Sequence, residues 1–347
     1  MRFIPPARVV DAGILVAVAV AAATGLVSLV SGQPSDAWVF AVHGIVGLTL
    51  VGLIALKLYR VSPRLRQPSR WDRRVVVSVL TLGVAGLALV TGIAWSFGGK
   101  FGVLLWTGLS VHVLFGLLTI PILVYHLTHR FRLPDRVDFQ DRRTTIQLGL
   151  LVLGGAVAWR AQQLITEVIG TANRFTGSRV TGRQPGNTFP VTSWVADDPD
   201  PVDLEEWRLR IDGAVASSMS VEFGALHRDD TSQAILDCTS GWYTDQEWGG
   251  IRVARLLDEA EAEPEARWVS FHSVTGYRWS LPIDEAQDAL LVTNVGGERL
   301  THGHGAPLRL VAPGRRGFQW VKWVQRIEVR RDPDYGQWIA IFTSGFS

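Results

Sequence analysis

The chain has 347 residues, 47% hydrophobic and 19% charged, and its formal net charge of +2 averages two unlike halves. Up to about residue 170 it consists of long runs of Ala, Val, Leu, Ile and Gly; afterwards it is charged, Trp-rich and punctuated by Pro and Gly. A single cysteine excludes an intramolecular disulfide, and arginines gathered between apolar runs, without interleaved aromatics, argue against nucleic acid as a partner.

Five segments are long and apolar enough to cross a bilayer: Val9 to Val30, Ala37 to Leu58, Val75 to Trp95, Val103 to His126, and Thr144 to Ile169. The fifth is the weakest, because Arg160, Gln162, Gln163 and Glu167 interrupt it. No small-residue cleavage pattern followed by a soluble domain marks the first as a secretory signal, so it reads as a span. Loop charges set the orientation. Arg60, Arg64, Arg66, Arg70, Arg73 and Arg74 follow the second span and Arg130, Arg132, Arg136, Arg142 and Arg143 the fourth, whereas the other two loops hold only Lys100. The positive-inside rule then predicts a multi-pass plasma-membrane protein, lipid its first partner, with the N-terminus cytoplasmic and the C-terminal half extracytoplasmic.

Histidines within spans are costly unless they act, which singles out His43 and His112. They fall about 9 and about 13 Å below the outer ends of the second and fourth spans at 1.5 Å per residue. Two imidazoles at similar depth in a helical bundle predict one bis-histidine haem b in the outer half of the membrane, with Gly44, Gly47, Gly108 and Gly116 leaving room for the porphyrin. The alternative is that each histidine hydrogen-bonds a neighbouring helix. His126 would pair at the inner face with Lys57 instead of a histidine, so a second haem is not expected, and Lys57 reads as a snorkelling residue with His126 and His129 on the cytoplasmic rim. By spacing the bundle resembles small four-helix cytochrome b membrane subunits. Arg142 and Arg143, opening the fifth span, resemble a twin-arginine (Tat) export signal or serve as ordinary positive-inside arginines. The expected division is 1–143 four-span domain, 144–169 fifth span and possible signal anchor, 170–186 linker, and 187–347 outer domain.

In the outer domain, alternating apolar patterns predict strands at Trp207 to Ile211, Trp268 to Val274, Tyr277 to Ile283, Leu290 to Asn294, Pro307 to Val311 and Trp320 to Val329, with short helices near Val221 to Leu226 and Val253 to Ala260. The expected class is a membrane all-α bundle of five spans followed by an α+β domain. The only cysteine, Cys238, ends a strand-like run, Ala234 to Asp237, beside a Ser-Gly turn and the tryptophans Trp242 and Trp248. A thiol so placed is reachable by a bound group and serves as a free thiol or metal thiolate; the alternative is a small buried hydrophobe. His302 and His304, alternating as on a strand, would complete a zinc or copper site with it.

The stretches LDCTSGWYTDQEWGGIRVARLL and HGAPLRLVAPGRRGFQWVKWVQRIEV, with NTFPVTSW and WRLRIDG before them, resemble the molybdopterin-binding domain of the sulfite oxidase family over roughly residues 185 to 347. The resemblance implies a Mo-molybdopterin cofactor with Cys238 as thiolate ligand. It further implies that His304, Arg309, Gly317, Trp320, Val321 and Lys322 contact the pterin or its phosphate, together with Asn187, Pro190, Val191 and Ser273. Arg309 and Lys322 carry charge of the sign a phosphate needs, and Gly314 and Gly317 permit close backbone approach. Where sulfite oxidases place an anion-holding arginine after the cysteine, this chain has Thr239, Ser240, Gly241 and Trp242, and it ends at Ser347 without the additional dimerisation domain. Both features resemble the bacterial methionine-sulfoxide reductase branch, whose periplasmic molybdenum subunit receives electrons from a separate haem-containing membrane partner.

The sequence thus predicts a membrane-anchored molybdenum oxidoreductase that transfers oxygen atoms to or from a small oxo-donor or oxo-acceptor, a sulfoxide in the favoured case. Electrons would be exchanged with the quinone pool through the haem. Trp242, Tyr243, Tyr277 and Arg278 are the expected substrate-pocket residues. The alternatives are a sulfite dehydrogenase passing electrons into the membrane and a non-catalytic binding or sensing module that keeps the fold.

Overall fold

A computed structural model of the chain describes residues 5–67, 69, 71–98, 101–103, 106–130, 135, 142–171, 173–193 and 197–345. Arg70, Lys100, Arg132 and Arg136 of the loop-charge argument lie outside the described residues, as does Trp194, and so do the side chains of Arg74, His129 and Arg130. The chain divides into two units, Met1–Arg179 and Val180–Ser347.

The first unit is helical: α1 (Ala7–Ser28), α2 (Ala37–Leu65), α3 (Arg73–Ser96), α4 (Gly108–Arg130) and α5 (Arg142–Val168). All five contain stretches long and apolar enough to cross a membrane, with mean hydropathy from 1.3 in the fifth to 2.3, as suits a membrane anchor. Asp72 starts α3 by accepting the Val75 N–H at 2.8 Å. The fourth helix begins at Gly108, not at Val103 as the apolar run predicts, because Gly102–Val103 (β1) pairs antiparallel with Trp106–Thr107 (β2). His112 therefore sits about 6 Å into its helix, against about 9 Å for His43 in α2. Helix α1 packs on α2, α3 on α4, and α5 on α2. Lys57, expected to snorkel alone, pairs with Asp11 of α1 at 2.9 Å.

The stretch expected as a linker is bonded along its length. Arg174 Nη2 donates to Gly32 O at 3.0 Å, and Arg179 Nη2 to Trp95 O at 2.7 Å, all within the first unit. A short strand, β3 (Arg179–Val180), marks the division between the units. Just beyond it, Thr181 N donates to Tyr243 O at 2.8 Å within the second unit.

Two sheets form the second unit. In one, β4 (Arg208–Gly213), β5 (Met219–Glu222), β8 (Trp268–Ser273), β9 (Arg278–Pro282) and β13 (Val324–Arg330) lie in the order β5–β4–β13–β8–β9, with only β4 and β13 parallel. The other is built on a hairpin of β6 (Asp230–Cys238) and β7 (Trp242–Arg252); β7 also pairs with β10 (Leu290–Val295), whose far side takes β11 (Glu298–Arg299) and β12 (Arg309–Val311). Helices α6 (Val253–Glu259), α7 (Ile283–Asp288) and α8 (Gln337–Thr343) are short. Fully buried Leu209, Ile211, Trp248, Phe271, Leu281, Leu290 and Trp320 join the sheets in one apolar core, and burying side chains of this size is worth about 1.5–3 kcal/mol each.

In the second unit, local reading and structure differ in three further places. Val221 to Leu226, expected as a helix, is the end of β5 and a single 3-10 turn, Phe223–Ala225, because β5 is held by register with β4. Trp320 to Trp323 precede β13 and do not belong to it. His302 and His304 lie on a 3-10 turn, not a strand, so their rings diverge.

Candidate functional site

Strand β6 carries Cys238 as its last residue, paired with Trp242 of β7 across the three-residue connection Thr239, Ser240 and Gly241. Gly241 takes a positive φ of 96°, the left-handed position such a hairpin needs, and its N–H returns to Cys238 O at 3.0 Å. The turn leaves Cys238 Sγ buried, 3.0 Å from Ser240 Oγ. A closed hairpin thus ends in a fixed sulfur.

Cations gather around it. Arg309, the first residue of β12, is buried; its Nη1 donates to His304 O at 2.8 Å, while its Nε is buried with no hydrogen-bond partner among the described residues. Burial pushes this guanidinium down to about 10, and attraction to Cys238 opposes the shift. Lys322 is pushed down to about 7, first by burial and then by repulsion from Arg309, with Asp197, Cys238 and Asp198 pulling the other way. Its Nζ donates to Gly303 O at 2.6 Å and Ser193 Oγ at 3.0 Å. A charged group buried with an unsatisfied donor costs several kcal/mol unless an anion completes it. Gly305 (φ 109°) lets the His302–His304 turn pass against Lys322, since a Cβ there would meet the Lys322 backbone at 3.2 Å.

Segment 187–193 lies across this cluster. Asn187 Nδ2 donates to Arg299 O at 2.8 Å and its Oδ1 accepts Thr301 N at 3.1 Å. Phe189 O accepts His304 Nε2 at 2.9 Å, and Thr301 Oγ1 lies 2.7 Å from His304 Nδ1. Burial lowers the His304 pKa, which favours a neutral ring donating through Nε2. Pro190 and Val191 are exposed on the same segment. Trp320 and Val321 are buried between β12 and β13, and Gly317 lies so close to β6 that a Cβ would stand 3.2 Å from Cys238 Cα.

The substrate-pocket residues part company. Trp242 stays beside the cysteine, its Nε1 3.3 Å from Thr192 Oγ1, and Tyr243 is its neighbour on β7, opposite Asp237. Tyr277 is buried, with its hydroxyl donating to Phe318 O at 2.6 Å and its pKa raised chiefly by burial. Arg278 is committed elsewhere, to Asp334 at 2.6 Å. Ser273 is buried and bonded to Thr275 at 3.0 Å. His302, turned away, reaches Pro199 O at 2.8 Å, and among the described residues no three His, Cys, Asp or Glu side chains are placed to hold a metal ion. A zinc or copper site built on Cys238, His302 and His304 is therefore absent from the described residues.

Three participants escaped the sequence reading. Arg316 forms a buried ion pair with Asp237, the residue before the cysteine, at 3.0 Å. Asp197 is buried near Lys322 and Thr275, with its pKa raised by burial against both partners and its Oδ1 without a partner among the described residues. The run GRRG did advertise Arg316, but nothing in the acidic run around Asp197 set that carboxylate apart.

In the first unit, His43 and His112 come together with ring centroids 5.9 Å apart and planes at 83°. Each Nδ1 meets a carbonyl of a neighbouring helix, Ala21 O at 3.0 Å and Ala88 O at 2.8 Å. That hydrogen bond fixes the tautomer with Nε2 as the lone-pair nitrogen, the arrangement of a metal-ligating histidine. Neither Nε2 has a hydrogen-bond partner among the described residues. Gly47 and Gly116, one turn on from each histidine, face open space, whereas Gly44 is covered by Trp159 and Gly108 by Phe101, so only two of the four expected glycines leave room.

Residues 196–338 match the model of the oxidoreductase molybdopterin binding domain. The uncharacterized oxidoreductase YuiH of Bacillus subtilis is 32% identical over 168 residues, 46% of this chain and 84% of that protein. The protein-methionine-sulfoxide reductase catalytic subunit MsrP of Gluconobacter oxydans is 32% identical over 166 residues, 42% of this chain and 52% of that protein, so the match spans about half the length of that relative. Among solved structures, the sulfane dehydrogenase SoxCD of Paracoccus pantotrophus matches with 28% identity and a TM-score of 0.37, covering 39% of this chain and 40% of that one.

Proposed function

The chain belongs to the molybdopterin-binding oxidoreductase family of sulfite oxidase type, and from that membership we propose a membrane-anchored enzyme that reduces a sulfoxide-like substrate at a Mo-molybdopterin centre in its second unit. The observation that carries the reading is the buried Arg309 Nε, without a hydrogen-bond partner among the described residues and set with Lys322 and the Cys238 sulfur in one cluster. A soft thiolate for a transition metal and two cations for a phosphate are the donors that a metal dithiolene with a phosphate tail requires.

Bound there, the cofactor supplies two-electron oxygen-atom transfer. Cys238 would ligate the metal, with Ser240 beside the sulfur. Arg309 and Lys322 would hold the phosphate, Lys322 taking up a proton as the anion arrives. His304, Trp320, Val321 and Gly317 would flank the pterin, with Asn187, Pro190, Val191 and Ser273 on the segments that close over it. Trp248 and Trp320 are buried with ring centroids 5.5 Å apart, which would make this side of the cofactor apolar.

A neutral sulfoxide fits the substrate side better than sulfite. The turn after Cys238 offers the hydroxyls of Thr239 and Ser240 and no cation, and Arg278 is held by Asp334. The named activity of the Gluconobacter relative points the same way. Electrons would come from quinol through a haem b on His43 and His112 in the outer half of the membrane. The N-terminus would be cytoplasmic and the second unit extracytoplasmic, exported through the Arg142–Arg143 signal, with domain limits near 143, 169 and 186. The haem reading is supported by the carbonyl-held Nδ1 atoms and the open space at Gly47 and Gly116.

The test is elemental molybdenum and an optical spectrum on the full-length protein in mild detergent, with a Cys238→Ala control, followed by turnover with methionine sulfoxide and with sulfite. Near-stoichiometric molybdenum lost in the control, with reduction of the sulfoxide, is the expected result. Turnover of sulfite alone would replace the reductase by a dehydrogenase, and absence of molybdenum from folded protein would end the catalytic reading.

A further inference from the structure

The residue before the cysteine is an aspartate buried to 1% side-chain exposure, paired at 3.0 Å with Arg316, itself 3% exposed. Such a pair is an expensive object. Taking two charges out of water costs several kcal/mol each, and well-packed apolar residues in the same volume are often as stable or more so. A stability role alone does not account for it, and its position does.

Strand side chains alternate, so Asp237 leaves β6 on the face opposite Cys238. The same guanidinium that meets the Asp237 carboxylate also points Nη2 at Cys238 O, 3.4 Å away. Backbone pairing joins the two segments a second time, through a parallel bridge between Asp237 and Arg316. Arg316 N donates to Gln319 Oε1 at 2.9 Å, which closes the loop that carries the arginine. Next along, Gly317 abuts the Cys238 Cα, where a Cβ would stand at 3.2 Å. Cys238 is thus held by the hairpin on one side and by residues 316 and 317 on the other, so its backbone fixes where the sulfur can point.

We propose that Asp237 and Arg316 form a positioning pair that sets the orientation of the Cys238 sulfur toward the molybdenum. The inference rests on Cys238 as the metal thiolate. Because the pair is neutral as a whole, it fixes geometry without adding net charge beside the sulfur. A displacement of about 1 Å at a reacting centre is enough to cost about 100-fold in rate, so a dedicated clamp on the ligand has a function to serve.

The experiment uses the full chain and reads melting temperature, molybdenum per protein and the visible thiolate-to-molybdenum absorption band. Arg316→Met alone leaves a buried carboxylate and is expected to unfold at lower temperature. The double variant Arg316→Met with Asp237→Leu replaces the pair by apolar residues. It is expected to recover the parent melting temperature while its absorption band stays displaced or its molybdenum content stays at least twofold low. Recovery of stability, metal content and band together would overturn the proposal and leave the pair a structural one. Should the double variant not fold, Arg316→Lys decides, since it keeps the charge and lacks the planar fork: a displaced band supports the clamp and a parental band overturns it. A Cys238→Ser control keeps the two failures apart: an unchanged band there overturns Cys238 as the ligand and the clamp with it, whereas a band lost there but parental in the pair variants overturns the clamp alone.

Discussion

Arg309 gives one guanidinium N–H to the carbonyl of His304 at 2.8 Å and holds Nε buried with no partner among the described residues. A buried donor left open is a place reserved for an acceptor. Replacing Arg309 by Gln removes the charge and the fork, and a hydrogen bond to a charged group is worth about 1.5–3 kcal/mol. Cofactor retention should fall by about 10- to 100-fold, seen as loss of both molybdenum and released oxidised pterin on desalting. Arg309→Lys should restore part of it. Full retention by the Gln variant would remove Arg309 from the phosphate.

Lys322 predicts a pH dependence with a defined sign. The folded, cofactor-free protein releases the Lys322 proton near 7, whereas the unfolded chain keeps it to its ordinary value of 10.5. Between those values the unfolded state binds more protons, so stability rises with pH; below 7 both states are protonated and the full penalty remains. The melting temperature of cofactor-free protein should therefore rise from pH 7 to 9 by more than that of Lys322→Met. Stabilisation by the bound, phosphate-bearing cofactor should shrink over the same range, because the anion needs the protonated amine. A Lys322→Met protein with the parental pH slope would contradict both.

Gly317 leaves little room for a side chain, since a Cβ would stand 3.2 Å from both Cys238 Cα and Leu236 Cδ1 and these would have to give by a few tenths of an ångström. Gly317→Ala should cost about 1–3 kcal/mol by overpacking, visible as a lowered melting temperature. An unchanged melting temperature would mean that the loop yields freely.

For the helical unit, His43→Ala and His112→Ala should each abolish a b-type absorption spectrum. Gly47→Leu or Gly116→Leu, which fill open space one turn from the histidines, should lower haem content while helicity by circular dichroism is kept. Haem retained at parental levels in all four variants would place the cofactor elsewhere.

What could be read in advance was local. Runs of about 20 apolar residues favour helices, because backbone groups in an apolar medium must bond within the segment; five helices of that length and apolarity are present among the described residues. The strand-like run before Cys238 was likewise legible, because alternation acts over a few positions, whereas the stretch around His304, Arg309 and Lys322 stood out only through its resemblance to a known family. Tertiary structure decided the rest. It paired Asp237 with Arg316, 79 residues apart in sequence, and buried Asp197 beside Lys322. It committed Arg278 to Asp334 and turned His302 away from His304. It also covered Gly44 with Trp159 while leaving Gly47 open, although the two glycines are indistinguishable in the sequence. Pattern along a chain fixes which face of an element is apolar, but the partner that meets a given side chain is set by how distant elements pack, and no local signal carries that information.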